Sequence, residues 1–217
     1  MEIMANQVSV SIGDRKIVED STVHAAAGSL VALVGPSGSG KTTLLNTLGL
    51  LVRPTSGTVT VDGQDTAKWG DSQRRKVWGA RVAFVFQDYG LIEDESVDYN
   101  MLLAELPLFG IRPSARTRVN SSLAQVGLEG RGREKVSALS GGEKQRVGLA
   151  RAMFRRADAV FADEPTASLD RTNREMVSEA LRAEADRGAA VIIATHDEEL
   201  IARCDHRVHL TAPLTEH

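Results

Sequence analysis

The chain has 217 residues, 42% of them hydrophobic, which is enough to bury one core and predicts a single folding unit. A net charge of −3 supplies no excess positive potential, which argues against a nucleic-acid partner held through its phosphates. The one cysteine, Cys204, excludes an internal disulfide and a cysteine-based metal site, and reads as a small hydrophobe.

Met1-Glu2-Ile3-Met4 lacks the basic start and apolar run of a secretory leader. No window reaches the roughly 18 consecutive apolar residues of a membrane-spanning helix, so any membrane link is expected to come through a partner. In chain order, residues 7–12 and 57–61 read as strands of an N-terminal antiparallel layer, with Pro54-Thr55-Ser56-Gly57 as the turn before the second. Leu30 to Val34 reads as a buried strand bounded by Gly35, and Val82 to Phe86 as another apolar run. Basic clusters at Arg74-Arg75-Lys76 and Arg155-Arg156 read as solvated surface. Between about 90 and 155 the pattern turns helical, punctuated at Pro107, Gly110, Pro113 and Gly130-Arg131-Gly132. Ala159 to Ala162 and Val191 to Thr195 complete a set of three buried strands, with Leu30 to Val34, expected side by side in the core. Short apolar strands alternating with helical segments define an α/β architecture with a parallel sheet.

Gly35-Pro36-Ser37-Gly38-Ser39-Gly40-Lys41-Thr42-Thr43 matches the phosphate-loop pattern in full, between a predicted strand and a helical run. Glycines let backbone N–H groups curl around phosphate oxygens, and the following helix start adds the positive end of its dipole. Lys41 is expected to reach the β- and γ-phosphates, Thr42 to place its hydroxyl on Mg²⁺, and Thr43 to hold the α-phosphate side. The strand Ala159 to Ala162 delivers Asp163 and Glu164 at its C-terminal end, where open α/β sheets bind ligands. Alone, such a run equally describes a strand ending at the surface. Beside a phosphate loop it assigns Asp163 to Mg²⁺ and Glu164 to polarising the attacking water.

Leu139-Ser140-Gly141-Gly142-Glu143-Lys144-Gln145-Arg146 resembles the signature motif of ATP-binding cassette proteins. As an isolated string it also describes an ordinary helix cap, with Glu143 in the first turn. The resemblance spans about Val8 to Leu210. It implies a phosphate-loop ATPase core, a mixed sheet flanked by helices, with an N-terminal antiparallel β layer and an inserted helical signature lobe. The core would take in about 1–89 and 156–217 and the lobe about 90–155 of one domain, 1–217. In the family's order, Gln87 resembles the glutamine that contacts Mg²⁺ and the attacking water. Ser168-Leu169-Asp170 resembles the segment that crosses the dimer interface, and His196 the histidine that contacts the γ-phosphate. Leu139 to Glu143 would meet the ATP bound to a second cassette, so the site is completed only in a dimer, expected to be two copies of this chain.

One departure stands out. Where the family usually has an aromatic residue that stacks on adenine, this chain has Ser11 and Ile12, and the counterpart is taken as Ile12. Weaker affinity or looser base selectivity is expected. Glu143 in the signature is similar to the macrolide-exporter and lipoprotein-releasing branch. The resemblance implies an ATP-hydrolysing subunit at the cytoplasmic face of the cell membrane, coupled to an integral membrane permease and driving export or extraction of a peptide, drug or lipid-type substrate. Docking on the permease is expected from Asp88-Tyr89-Gly90-Leu91-Ile92-Glu93-Asp94, where apolar groups stand among acids. A cassette driving mechanical signalling is the alternative, and a kinase or GTPase is weaker, since the signature helix serves neither.

Overall fold

The computed structural model describes residues 1–103 and 113–211; Pro107 and Gly110, expected as lobe punctuation, lie outside the described residues. Strand β1 (Ile3–Ile12) buries Ile3 and Ala5, then Val8 and Val10. That change of phase needs an extra residue, and Gln7 supplies it at φ 47, where the pairing register shifts. β2 (Arg15–Ala25) folds back on β1 as an antiparallel hairpin. β3 (Leu30–Val34) is buried throughout and leads through the glycine-rich loop into α1 (Lys41–Leu48). β4 (Ser56–Val61) returns to pair with β1, and the short β5 (Gln64–Asp65) pairs with β4. After α2 (Asp71–Ala80) and β6 (Val82–Val85) come the lobe helices α3 (Val97–Leu102), α4 (Pro113–Gln125) and α5 (Gly141–Arg155). The chain closes with β7 (Ala159–Asp163), α6 (Arg171–Asp186), β8 (Ala190–Ala194), α7 (Glu198–Ala202) and β9 (His206–His209).

The strands divide between two sheets. The antiparallel layer has the order β2-β1-β4-β5, and the core sheet the order β6-β7-β8-β3-β9 with parallel pairing throughout. The three strands expected side by side, β7, β8 and β3, are neighbours at its centre. Successive side chains of a strand point to opposite faces, so the inner strands β7, β8 and β3 feed two cores. Leu30, Val160, Ala162, Val191 and Ile193 pack toward the helical lobe and α6. Val31, Leu33, Phe161, Ile192 and Ala194 pack toward α1 and the antiparallel layer. Burial on both faces explains why these strands read as unbroken apolar runs, each large side chain contributing roughly 1.5–3 kcal/mol.

Two arginines expected at the solvated surface do other work. Arg74 is buried, and its guanidinium donates to the carbonyls of Leu50 (2.9 Å), Thr66 (3.3 Å) and Trp69 (3.4 Å). Arg155 donates to the carbonyls of Trp78 (2.7 Å) and Gly79 (3.0 Å) in the last turn of α2. Helix ends and tight loops leave carbonyls without intrahelical partners, and long arginine side chains reach them.

Candidate nucleotide site

The loop between β3 and α1 is shaped by close backbone approach. A Cβ on Gly40, at φ 87, would lie 2.4 Å from the Ile17 carbonyl oxygen, and one on Gly35 would lie 2.5 Å from that of Leu210. Glycine is required at both places. Gly40 is also the N-cap of α1, and no side chain caps that end. The first-turn N–H groups are therefore left for an anion, favoured there by the helix dipole. Lys41 Nζ donates to the carbonyls of Gly35 (2.9 Å) and Pro36 (3.1 Å), holding the ammonium across the loop mouth.

This loop forms one wall of a cavity of about 640 Å³. Gly35, Pro36, Ser37, Gly38, Gly40, Lys41, Thr42 and Thr43 line it, together with Gln87, Glu164 and His196 from the ends of the neighbouring core strands. Directly behind, the Thr42 hydroxyl donates to Asp163 Oδ1 at 3.1 Å. Burial pushes the Asp163 carboxyl above its usual range, partly countered by the Thr42 hydrogen bond. Glu164 follows in a left-handed backbone conformation, φ 45, with its N–H donating to the Ala194 carbonyl at 2.8 Å. That turn carries its carboxylate into the cavity, where Oε1 lies 3.0 Å from His196 Nδ1. Oε2 is buried and lies at the same distance, 3.0 Å, from His196 Nδ1, with no hydrogen-bond partner among the described residues.

The structure does not bring every expected residue to this cavity. Ser39 is 1% exposed, turned behind the loop, and its N–H already donates to the Pro36 carbonyl. Ile12 is 67% exposed at the end of the β1–β2 hairpin, and the aliphatic wall is Ile17 instead. Counting back from the loop selected Ile12; the hairpin pairing, which places Ile17 beside Gly40, could not be counted. Leu139 is buried in the lobe core and Leu169 beside it, so neither side chain is offered to a partner. In the docking segment, Leu91 packs inward while Ile92 is 43% exposed, so the apolar group on offer is Ile92.

Ser140 and Gly141 are exposed and lie outside the cavity lining, as a site completed by a second molecule requires. Ser140 caps α5 in a reciprocal capping box with Glu143, its N–H donating to Glu143 Oε2 at 2.7 Å. Arg131, which the sequence marked only as punctuation, donates to Glu143 Oε1 at 2.8 Å. The Ser140 backbone and hydroxyl, then Arg131, pull the Glu143 carboxyl down to about 2. A Cβ on Gly142 would meet Leu169 Cδ2 at 3.1 Å and the Ser168 carbonyl at 3.4 Å. The signature start and the segment Ser168-Leu169-Asp170 therefore lie against each other in one chain.

A parallel sheet, an uncapped helix start with a lysine at its mouth, and a hydroxyl–carboxylate pair behind it define a phosphate-loop nucleoside triphosphatase. The model of the family described as ABC transporter matches residues 18–167. The chain belongs to the ABC transporter family, as an ATP-binding subunit and ATPase. It is 40% identical to the lipoprotein-releasing system ATP-binding protein LolD 1 of Caulobacter vibrioides, over 91% of this chain and 86% of that one. It is 40% identical to the LolD protein of Bordetella pertussis, over 90% of this chain and 85% of that one. A dimeric bacterial ABC transporter cassette superposes with a TM-score of 0.89 at 28% identity, covering 97% of this chain and 94% of the other. A post-hydrolysis dimer bound to ADP and Pi superposes with a TM-score of 0.87 at 28% identity, covering 96% and 94%. Among the described residues, no helix is long and apolar enough to cross a membrane.

Proposed function

We propose that this chain powers release of lipoproteins from a membrane, working as a homodimer bound to an integral membrane permease at the cytoplasmic face. Similarity to lipoprotein-releasing ATP-binding proteins across nine-tenths of the chain carries the substrate reading. One domain serves, with a core of about 1–89 and 156–217 and a helical lobe of about 90–155. Lys41 and the α1 N–H groups take the phosphates. The Thr42 hydroxyl and Asp163 carboxylate, adjacent and oxygen-bearing, fit Mg²⁺, which favours few carboxylates beside phosphate and water, and Gln87 is a third candidate ligand. Mg²⁺ would neutralise phosphate charge there. Glu164 accepts a proton from the attacking water while His196 holds the carboxylate and meets the γ-phosphate. The exposed start of α5, Ser140 to Gly142, caps the ATP of the second copy, and Ser168 and Asp170 meet that copy across the same face. Closure around two ATP molecules then supplies the movement that the permease uses.

The test is co-reconstitution with the cognate permease in proteoliposomes loaded with an acylated lipoprotein. ATP-dependent release of the lipoprotein into solution is expected. ATP-dependent macrolide transport without lipoprotein release would transfer the chain to the macrolide-exporter reading.

The base contact gives a second expectation. With Ile17 on the cavity wall and Ile12 at the hairpin end, the adenine has aliphatic rather than stacking neighbours. An aromatic stack is worth roughly 0.5–1.5 kcal/mol beyond area, or about two- to tenfold in affinity. Ile17→Tyr is expected to lower the KM for ATP by that factor, whereas wild type treats ATP and GTP nearly alike. A strong ATP preference in wild type, with no gain from Ile17→Tyr, would defeat this account.

A further inference from the structure

Gln145 stands in the second turn of α5 and donates from Nε2 to the Glu164 backbone carbonyl at 2.7 Å. It is 3% exposed, and its Oε1 is buried with no hydrogen-bond partner among the described residues. An apolar side chain of the same length would fill this place without leaving a polar atom unmatched. The feature that Gln145 alone provides is the donor.

Its acceptor belongs to a strained peptide. Glu164 is a non-glycine residue at φ 45, a conformation that persists only where its surroundings hold it. Its N–H is fixed by the Ala194 carbonyl of β8 at 2.8 Å, and its carbonyl takes the Ala167 N–H at 3.2 Å besides Gln145. Of these three bonds, only that from Gln145 crosses from the helical lobe to the core sheet. α5 itself is fastened further along, where Arg151 donates to the carbonyls of Gly90 (2.6 Å) and Tyr89 (3.2 Å). It is a straight run of α-helix, so a displacement of its Ser140 end is carried to Gln145 five residues on.

We infer that Gln145 is a positioning residue for hydrolysis, holding the Glu164 peptide so that its carboxylate faces the attacking water, and making that placement depend on where the signature helix sits. The inference rests on the reading of Glu164 as the group that polarises the water. Because Ser140 at the start of the same helix caps the ATP of the second copy, Gln145 links the occupancy of one site to the chemistry of the other.

The experiment compares full-length wild type, Gln145→Met and Glu164→Gln, and carries Gln145→Met also into the Glu164→Gln background. Met keeps the length and volume, and the Glu164 carbonyl keeps the Ala167 N–H, so the melting temperature is expected to change little. A roughly tenfold fall in kcat is expected, the size of one hydrogen bond lost from the transition state, with KM for ATP within about twofold. The Hill coefficient for ATP is expected to fall toward one. ATP-dependent dimerisation, read by size exclusion in the Glu164→Gln background, should persist. An unchanged kcat in Gln145→Met overturns the inference, and so does a parallel loss of melting temperature, KM and dimerisation, which marks a structural clamp. Retained turnover in Glu164→Gln removes the reading of Glu164 and this inference with it. An inactive Glu164→Gln beside a fully active Gln145→Met removes the inference alone.

Discussion

Glu164→Gln is expected to lower turnover by a factor of about 100 or more while ATP binding survives, the range that loss of a positioned general base produces. The geometry makes the substitution selective. Lys41, Thr42 and the uncapped start of α1, proposed to hold the phosphates, are untouched, and glutamine occupies the same volume at φ 45. The change removes the charge on the carboxylate and replaces one of its oxygens by an amide that cannot take a proton from water. His196, 3.0 Å from the carboxylate, can still bond the amide oxygen, so the local frame persists. If hydrolysis opens the dimer, as proposed, blocking it traps the closed state. In ATP and Mg²⁺ the variant is therefore expected to elute as a dimer, while wild type shows a rate per subunit that rises with protein concentration. A variant that still turned over ATP would take Glu164 out of this role.

How much of this was legible in the sequence depended on whether the cause was local. β3, the phosphate loop and β7 could be read because a strand buried on both faces is a continuous apolar run, and because the loop needs glycine where backbone approaches backbone. β2 and β9 could not. In β2 the buried Val18, Val23 and Ala25 are separated by irregular intervals that only the bulged register with β1 explains. In β9, His206-Arg207-Val208-His209 is polar because it lies at the sheet edge. The residues expected to hold phosphate, with Gln87, Glu164 and His196, line one cavity because their motifs fall at the C-terminal ends of adjacent strands. Ile17, Gln145 and Arg131 were not legible as site residues. Each acts through a partner that only folding brings near, and a single donor leaves no periodicity behind.

Arg131→Met should weaken ATP-driven dimerisation by about ten- to thirtyfold, and Glu143→Gln in the same chain should restore most of it. On the proposed reading the start of α5 meets the triphosphate of a second copy, yet its first turn carries a carboxylate. Glu143 stays ionised there, its carboxyl held down to about 2, so neutral pH leaves a full negative charge at an anion site. Arg131 offsets part of it from the lobe at 2.8 Å, its guanidinium being shared with Glu134. Without that guanidinium, a like charge within about 8 Å of a phosphate costs roughly 2 kcal/mol even at an effective dielectric near 20, about thirtyfold in affinity. Salt weakens exposed charge interactions, so the defect should shrink as ionic strength rises. The pH dependence has a definite sign. A carboxyl whose folded pKa is depressed contributes stability above its unfolded pKa, and that contribution is lost as pH falls toward the folded one. The cap that Glu143 forms on Ser140 is thus complete at neutral pH and lost only as pH drops from the ordinary glutamate range toward about 2. Dimer formation measured by size exclusion across salt concentration, for Arg131→Met and for the double variant, separates charge from packing. A defect in Arg131→Met that persisted at high salt and in the Glu143→Gln background would mean that Arg131 acts through its packing on the lobe, and that the charge on the signature helix does not govern closure.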